Sequence, residues 1–156
     1  MMIDQFTRTD RRFEQIYIDD LTGITIGKGT TIGQHCVFGD DTEIGEDCRI
    51  DPFVCSSGSN YIGDGVTLRY GVILARGVNI GSDCYLCPRV MTEAQNHRAQ
   101  LIGGAAIGPR CFIGTHSVIA AGIEIAPGTT IGAMSYVNRS IVEPGVYVGS
   151  PARRIR

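Results

Sequence analysis

The sequence predicts an all-β fold, a parallel β-helix of about six coils, and three observations carry that expectation. A six-residue period runs through most of the chain, large apolar residues recur at one place within it, and glycine is abundant. There are 21 glycines in 156 residues, without collagen periodicity or low complexity, which implies many tight corners.

From Ile24 the chain divides into sixes, beginning ITIGKG, TTIGQH, CVFGDD and TEIGED, and twelve such units reach Gln95. The phase fails over the nine residues 96–104. It resumes at Ala105 for six more units, AAIGPR to SYVNRS. The third residue is large and apolar in 16 of the 18 units, Ser56 and Thr92 being the exceptions, about twice what the overall hydrophobic content of 43% would give by chance. The fourth is Gly or Ala in 12 of 18, and the first is small or β-branched in most.

One large inward residue and one small corner residue per six describe short strands joined by tight bends. Three strands close an 18-residue triangle, and successive triangles stack at the strand spacing of roughly 4.8 Å. Twelve units before the break make four coils, and six after it make two. Residues 1–23 form an N-terminal segment, 24–140 the β-helix, and 141–156 a tail that closes it.

Composition narrows the function. The formal net charge of −2 gives no general electrostatic case for nucleic acid. No stretch approaches the roughly 20 apolar residues of a membrane span. The first 23 residues carry charges throughout and lack the apolar core of a signal peptide, so the chain reads as a cytosolic protein whose six cysteines stay reduced.

Cys36, Cys48, Cys84 and Cys111 all take the first place of their units, which Thr30, Thr42, Val66 and Ser117 fill elsewhere. They read as small buried residues. Cys84-x-x-Cys87 has no second CxxC to complete a zinc site. Among the histidines, His35 reads as a solvated corner and His116 as a corner or groove residue. His97 is different, because it falls where the period breaks, and a loop interrupting a regular solenoid is where binding and catalysis concentrate. Were the phase kept, His97 would stack outward over Asn79, Tyr61 and Glu43.

From Asn79 onward the residues resemble a known family. NIGSDCYLCPRVMTEAQNH, the loop, AAIGPRCFIGTHSVIAAGIEIAPGTTIGAMSYVNRS and VGSPARRIR are similar to the hexapeptide-repeat acyltransferases, particularly galactoside and maltose O-acetyltransferases and bacterial surface-polysaccharide acetyltransferases. The loop histidine together with Gly149-Ser150-Pro151-Ala152-Arg153 makes the match far more specific than the repeat alone.

The resemblance implies a left-handed coil, a homotrimer with sites in grooves between subunits, acetyl-CoA as donor, and a sugar-type acceptor hydroxyl or amine. It implies no metal. His97 matches the family's general base, and Glu93 or Asn96 are candidates to orient its ring. Thr115, Ala133, Arg139, Arg153 and Arg156 match the CoA-binding positions. Arg69 stands where galactoside-type enzymes carry a substrate-binding Asn, so it is an acceptor-site candidate with a different specificity. Phe112 replaces the usual Trp, the loop is shorter, and the N-terminal helical region of maltose-type enzymes is missing or reduced. These departures imply a more open site, suited to a sugar on a nucleotide or lipid carrier.

Two other classes compete. A γ-type carbonic anhydrase needs three histidines across neighbouring coils, and only His97 and His116 are in position to contribute. An ice-binding or scaffold β-helix needs stacked threonine ranks, but 18-residue spacing takes Thr31 to Arg49 and Thr25 to Glu43.

Overall fold

A computed structural model describes residues 23–156, so the expected N-terminal segment lies outside the described residues apart from Gly23. Three parallel sheets form the walls of a triangular solenoid. Numbering strands in chain order, sheet A holds β1 (Ile24–Ile26), β4 (Thr42–Ile44), β7 (Tyr61–Ile62), β10 (Asn79–Ile80), β13 (Ala106–Ile107) and β16 (Glu124–Ile125). Sheet B holds β2 (Thr31–Ile32), β5 (Arg49–Ile50), β8 (Thr67–Leu68), β11 (Tyr85–Leu86), β14 (Phe112–Ile113) and β17 (Thr130–Ile131). Sheet C holds β3 (Val37–Phe38), β6 (Cys55–Ser56), β9 (Ile73–Leu74), β12 (Met91–Thr92), β15 (Val118–Ile119) and β18 (Tyr136–Val137). Among the described residues there is no helix, and hence none able to cross a membrane.

The register is the expected one. Thr31 pairs with Arg49 and Thr25 with Glu43, one 18-residue turn apart. Across the break the ladder skips the insertion, and Ala106, not His97, lies beside Asn79. The nine extra residues leave the stack because the pairing edges of β10 and β13 satisfy each other. Residues 141–156 start a seventh turn. Ile141 bridges to Ile125, β19 (Val146–Val148) pairs with β17, and β20 (Arg153–Arg154) returns antiparallel to β19.

The interior takes two residues per unit rather than one. The first residue of every unit is buried, as is the third in all but the opening unit, where Ile26 is half-buried. Both point inward on a short strand while the second faces out. The four first-place cysteines are therefore core residues. Burial pushes the Cys36 thiol up to about 11, and Cys48 is raised for the same reason. Their sulfurs donate to carbonyls of the next turn, Cys36 to Asp51 and Cys48 to Gly63. The two polar exceptions at the third place are satisfied: Thr92 Oγ1 accepts the Ala75 N–H at 2.8 Å, and Ser56 Oγ accepts Asn60 Nδ2 at 2.7 Å.

Corners need two different allowances. The fourth residue is small because the next turn's corner lies directly over it; a Cβ on Gly63 would sit 2.8 Å from Ser82 N. The sixth residue adopts left-handed backbone in every unit but those ending at Gln95 and Ser140; Gly71 takes it freely at φ 66°, and His35, Phe53 and Arg89 take it at a steric cost.

Candidate active site

Three edges join the sheets, here named A/B, B/C and C/A after the walls they connect. His97 belongs to the loop that replaces the C/A corner after β12. Glu93 anchors its start, with its N–H on Ile119 O at 2.9 Å. Ala94 O accepts the N–H groups of both Ile102 and Gly103, closing the base, and Gln95 bridges antiparallel to Leu101. Gly103 O then receives the Gly122 N–H at 3.0 Å, fixing the loop against the following turn.

Asn96 shapes the tip. Its Oδ1 accepts the N–H of Arg98 at 2.9 Å and of Gln100 at 3.1 Å, while Nδ2 donates to Gln100 Oε1 at 2.9 Å. Its backbone N–H meets Gln100 O, and its carbonyl receives the Ala99 N–H. Asn96 thus folds the turn that carries His97 rather than bonding the ring. The imidazole is exposed and makes no hydrogen bond among the described residues. An imidazole with both nitrogens available can take up a proton and release it.

The other expected residues fall elsewhere. Arg139 lies exposed on the C/A edge, two turns beyond the start of the loop. Thr115 and Ala133 occupy the B/C edge on successive turns. Thr115 Oγ1 donates to Pro88 O at 2.7 Å, and its carbonyl receives the Met134 N–H. Arg153 and Arg156 are exposed at the end of sheet B, where Arg153 also donates to Ala152 O. Within one chain, sheet C separates the His97 edge from the Thr115 edge.

Arg69, also on the B/C edge, is part of an assembly that sequence reasoning missed. Asp51 takes a fourth place, where Gly or Ala is usual, and its side chain is fully buried. Oδ2 receives Arg69 Nε at 2.5 Å and Oδ1 receives Arg49 Nε at 2.9 Å. Arg69 Nη1 donates to the Tyr85 hydroxyl, and its guanidinium lies 5.7 Å from the Tyr70 ring centroid and 5.8 Å from that of Tyr85. Hydrogen bonding to Asp51 and Tyr85 raises the Arg69 pKa further. The signal was in the numbering, since opposite charges stand 18 residues apart at the same place in the unit.

Among the described residues no three His, Cys, Asp or Glu side chains group to hold a metal. Cys84 points into the core and donates to Gly108 O, whereas Cys87 sits at the corner, so the CxxC spacing forms no dithiol pair facing one ligand.

Comparison with known proteins bears on this arrangement. The model of the bacterial transferase hexapeptide (six repeats) matches residues 23–55 and 104–139, on both sides of the loop. Both blocks carry the hexapeptide repeat of this bacterial transferase family. A chloramphenicol acetyltransferase from Morganella morganii is 39% identical over 57 residues, which is 36% of this chain and 27% of that one. PerB from Caulobacter crescentus, solved with CoA and GDP-perosamine, superposes with a TM-score of 0.74 at 20% identity over 85% of this chain and 58% of its own. A serine-to-alanine mutant of AntD, an N-acyltransferase from Bacillus cereus, was solved with dTDP-4-amino-4,6-dideoxyglucose and Coenzyme A. It gives 0.77 at 23% identity over 86% of this chain and 84% of its own. The chain thus spans about a quarter of the chloramphenicol acetyltransferase and just over half of PerB. Between the two matched blocks the regular strands continue through β12, and residues 96–104 are the stretch that leaves the repeat.

Proposed function

We propose that the protein is an acetyl-CoA-dependent acyltransferase that acetylates a hydroxyl or amine of a sugar-type acceptor, including one linked to a nucleotide, with His97 as general base. The observation that carries this reading is the placement of His97: an exposed imidazole, free of hydrogen bonds among the described residues, on a well-braced turn at the single interruption of an acyltransferase-type repeat. The solved relatives hold CoA together with an amino sugar on a nucleotide.

The chemistry follows from the residue. Neutral imidazole accepts the proton as the acceptor oxygen or nitrogen attacks the thioester carbonyl. The tetrahedral oxyanion is met by fixed N–H donors, and CoA leaves as the thiol once the proton is returned. No acyl-enzyme is needed, because the thioester is already activated.

The site is completed between copies of the chain. Outward residues of sheet C form an apolar column, Val37, Cys55, Ile73, Met91, Val118 and Tyr136, whereas the matching column of sheet A contains Glu43, Asn79 and Glu124. Val37 is 61% exposed and Ile73 40%. Three copies packed through sheet C around a threefold axis cover this face and set the C/A edge of each against the B/C edge of the next. That unites His97 and Arg139 with the partner's B/C edge, where Thr115 and Ala133 offer corner backbone to CoA. Arg139, Arg153 and Arg156 are placed to meet its phosphates.

The test is thiol release from acetyl-CoA with a panel of free and nucleotide-linked sugars, run beside His97→Ala. The variant is expected to fold, to bind CoA by calorimetry and to lose turnover by about 10²–10⁴-fold. Undiminished turnover would remove His97 from the mechanism.

A further inference from the structure

Charge is unevenly divided among the three edges. Among the described residues the A/B edge is acidic, with Glu46, Asp47, Asp64 and Asp83 against Lys28 and Arg110. The B/C edge is the reverse. Its one acid is Asp51, which is buried and has both oxygens engaged by guanidinium Nε atoms. Two guanidiniums on one carboxylate leave a surplus positive charge, and Arg89 adds a second one turn above.

Arg89 is exposed, and its N–H donates to Tyr70 O at 2.9 Å. A Cβ on Gly71 would lie 3.6 Å from Arg89 Cγ, so the arginine stem rises over the corner that Arg69 opens. The two arginines therefore stand on adjacent turns, roughly 4.8 Å apart in backbone height. Arg69 spends one N–H on Asp51 and one on Tyr85, leaving three of its five to face outward. Held by those partners, it loses little conformational freedom on meeting a ligand. Tyr70, 45% exposed, presents a planar ring beside them.

We propose that the B/C edge of the third and fourth turns binds the diphosphate of a nucleotide-linked acceptor through Arg69 and Arg89. Forked N–H donors at adjacent heights match successive phosphates, and the neighbouring ring suits a base or sugar face. The identification of the bound group as an acceptor rests on the acyltransferase reading; the phosphate site itself does not. CoA also carries a diphosphate, so the two sources must be separated.

The experiment is calorimetric titration of the full chain with UDP, dTDP and CoA in turn. The Arg89 side chain has no hydrogen-bond or ion-pair partner among the described residues, so Arg89→Gln keeps the fold. Arg69→Gln is paired with Asp51→Ala so that no buried carboxylate is stranded. Each variant is expected to weaken UDP or dTDP binding about tenfold or more, while CoA binding changes less than twofold. Wild-type protein that binds neither nucleotide, or variants that bind both unchanged, would overturn the site. Loss of CoA affinity to the same degree would overturn its assignment to the acceptor. If nucleotide binding falls as expected but no thiol is released with any acceptor, the phosphate site stands and the acyltransferase reading fails.

Discussion

The Asp51 carboxylate and the Arg69 guanidinium are one full turn apart in sequence and 2.5 Å apart in space. Asp51 has no exposed side-chain surface, whereas Arg69 is 28% and Arg49 53% exposed. The pair is therefore asymmetric. Removing Arg69 leaves a buried charge with one half-exposed partner, while removing Asp51 frees two cations to turn toward water. Arg69→Met is expected to cost on the order of 2–4 kcal/mol in urea unfolding, and Asp51→Ala less. The opposite order would show that the carboxylate is not the constrained member.

The Asn96 side chain acts on the backbone around His97, which predicts an effect on turnover without an effect on donor binding. Asn96→Ala removes three hydrogen bonds that fold the turn. Steady-state assays are expected to show kcat reduced about tenfold or more with KM for acetyl-CoA unchanged. Asn96→Asp keeps the accepting oxygen and should restore part of the loss. An equal fall in both variants would mean that the donated bond to Gln100, not the turn, is what matters.

Much of this arrangement is legible in the sequence. The period placed Ile50, Leu68 and Leu86 inside and set Thr31 beside Arg49, because an 18-residue repeat leaves one register. It also singled out His97 as the departure from regularity. Counting across the break, however, puts His97 beside Asn79, where the structure has Ala106; period counting cannot tell an insertion that joins the wall from one that leaves it. The left-handed corners at Phe53 and Arg89 were hidden as well, since neither residue type advertises positive φ. Nor does spacing within single units reveal the Asp51–Arg69 contact, which arises only when turns are read against one another.

Sheet C supplies a test of assembly. Ile73→Glu places a charge on its apolar outer column and is expected to shift the protein toward monomer in sedimentation, with the β signal in circular dichroism retained. Thiol release should fall with it, although His97 is untouched, because the proposed site draws on edges of two copies. Tyr61→Glu, on the outer face of sheet A, is the control and should leave both properties intact. A trimer that survives Ile73→Glu would move the interface to another wall.

Cys36 predicts how stability depends on alkaline pH. Burial lifts its thiol from an ordinary value near 9 to about 11, and the sulfur donates to Asp51 O. The folded chain holds this proton more tightly than the unfolded chain, so the stabilisation is fully present below pH 9. Between about 9 and 11 the unfolded chain binds fewer protons, and stability must fall as pH rises. Two pKa units correspond to a loss of about 2–3 kcal/mol by the upper end of that window. Cys36→Val, the residue type that Val54 and Val72 supply on neighbouring turns, removes this one titration and should lessen the slope of the urea-midpoint curve here, with Cys48, raised by the same burial, keeping part of it. The variant also lacks the bond to Asp51 O at every pH, so its curve should start lower and converge on the wild type toward pH 11. Parallel curves would show that the Cys36 thiol titrates alike in both states.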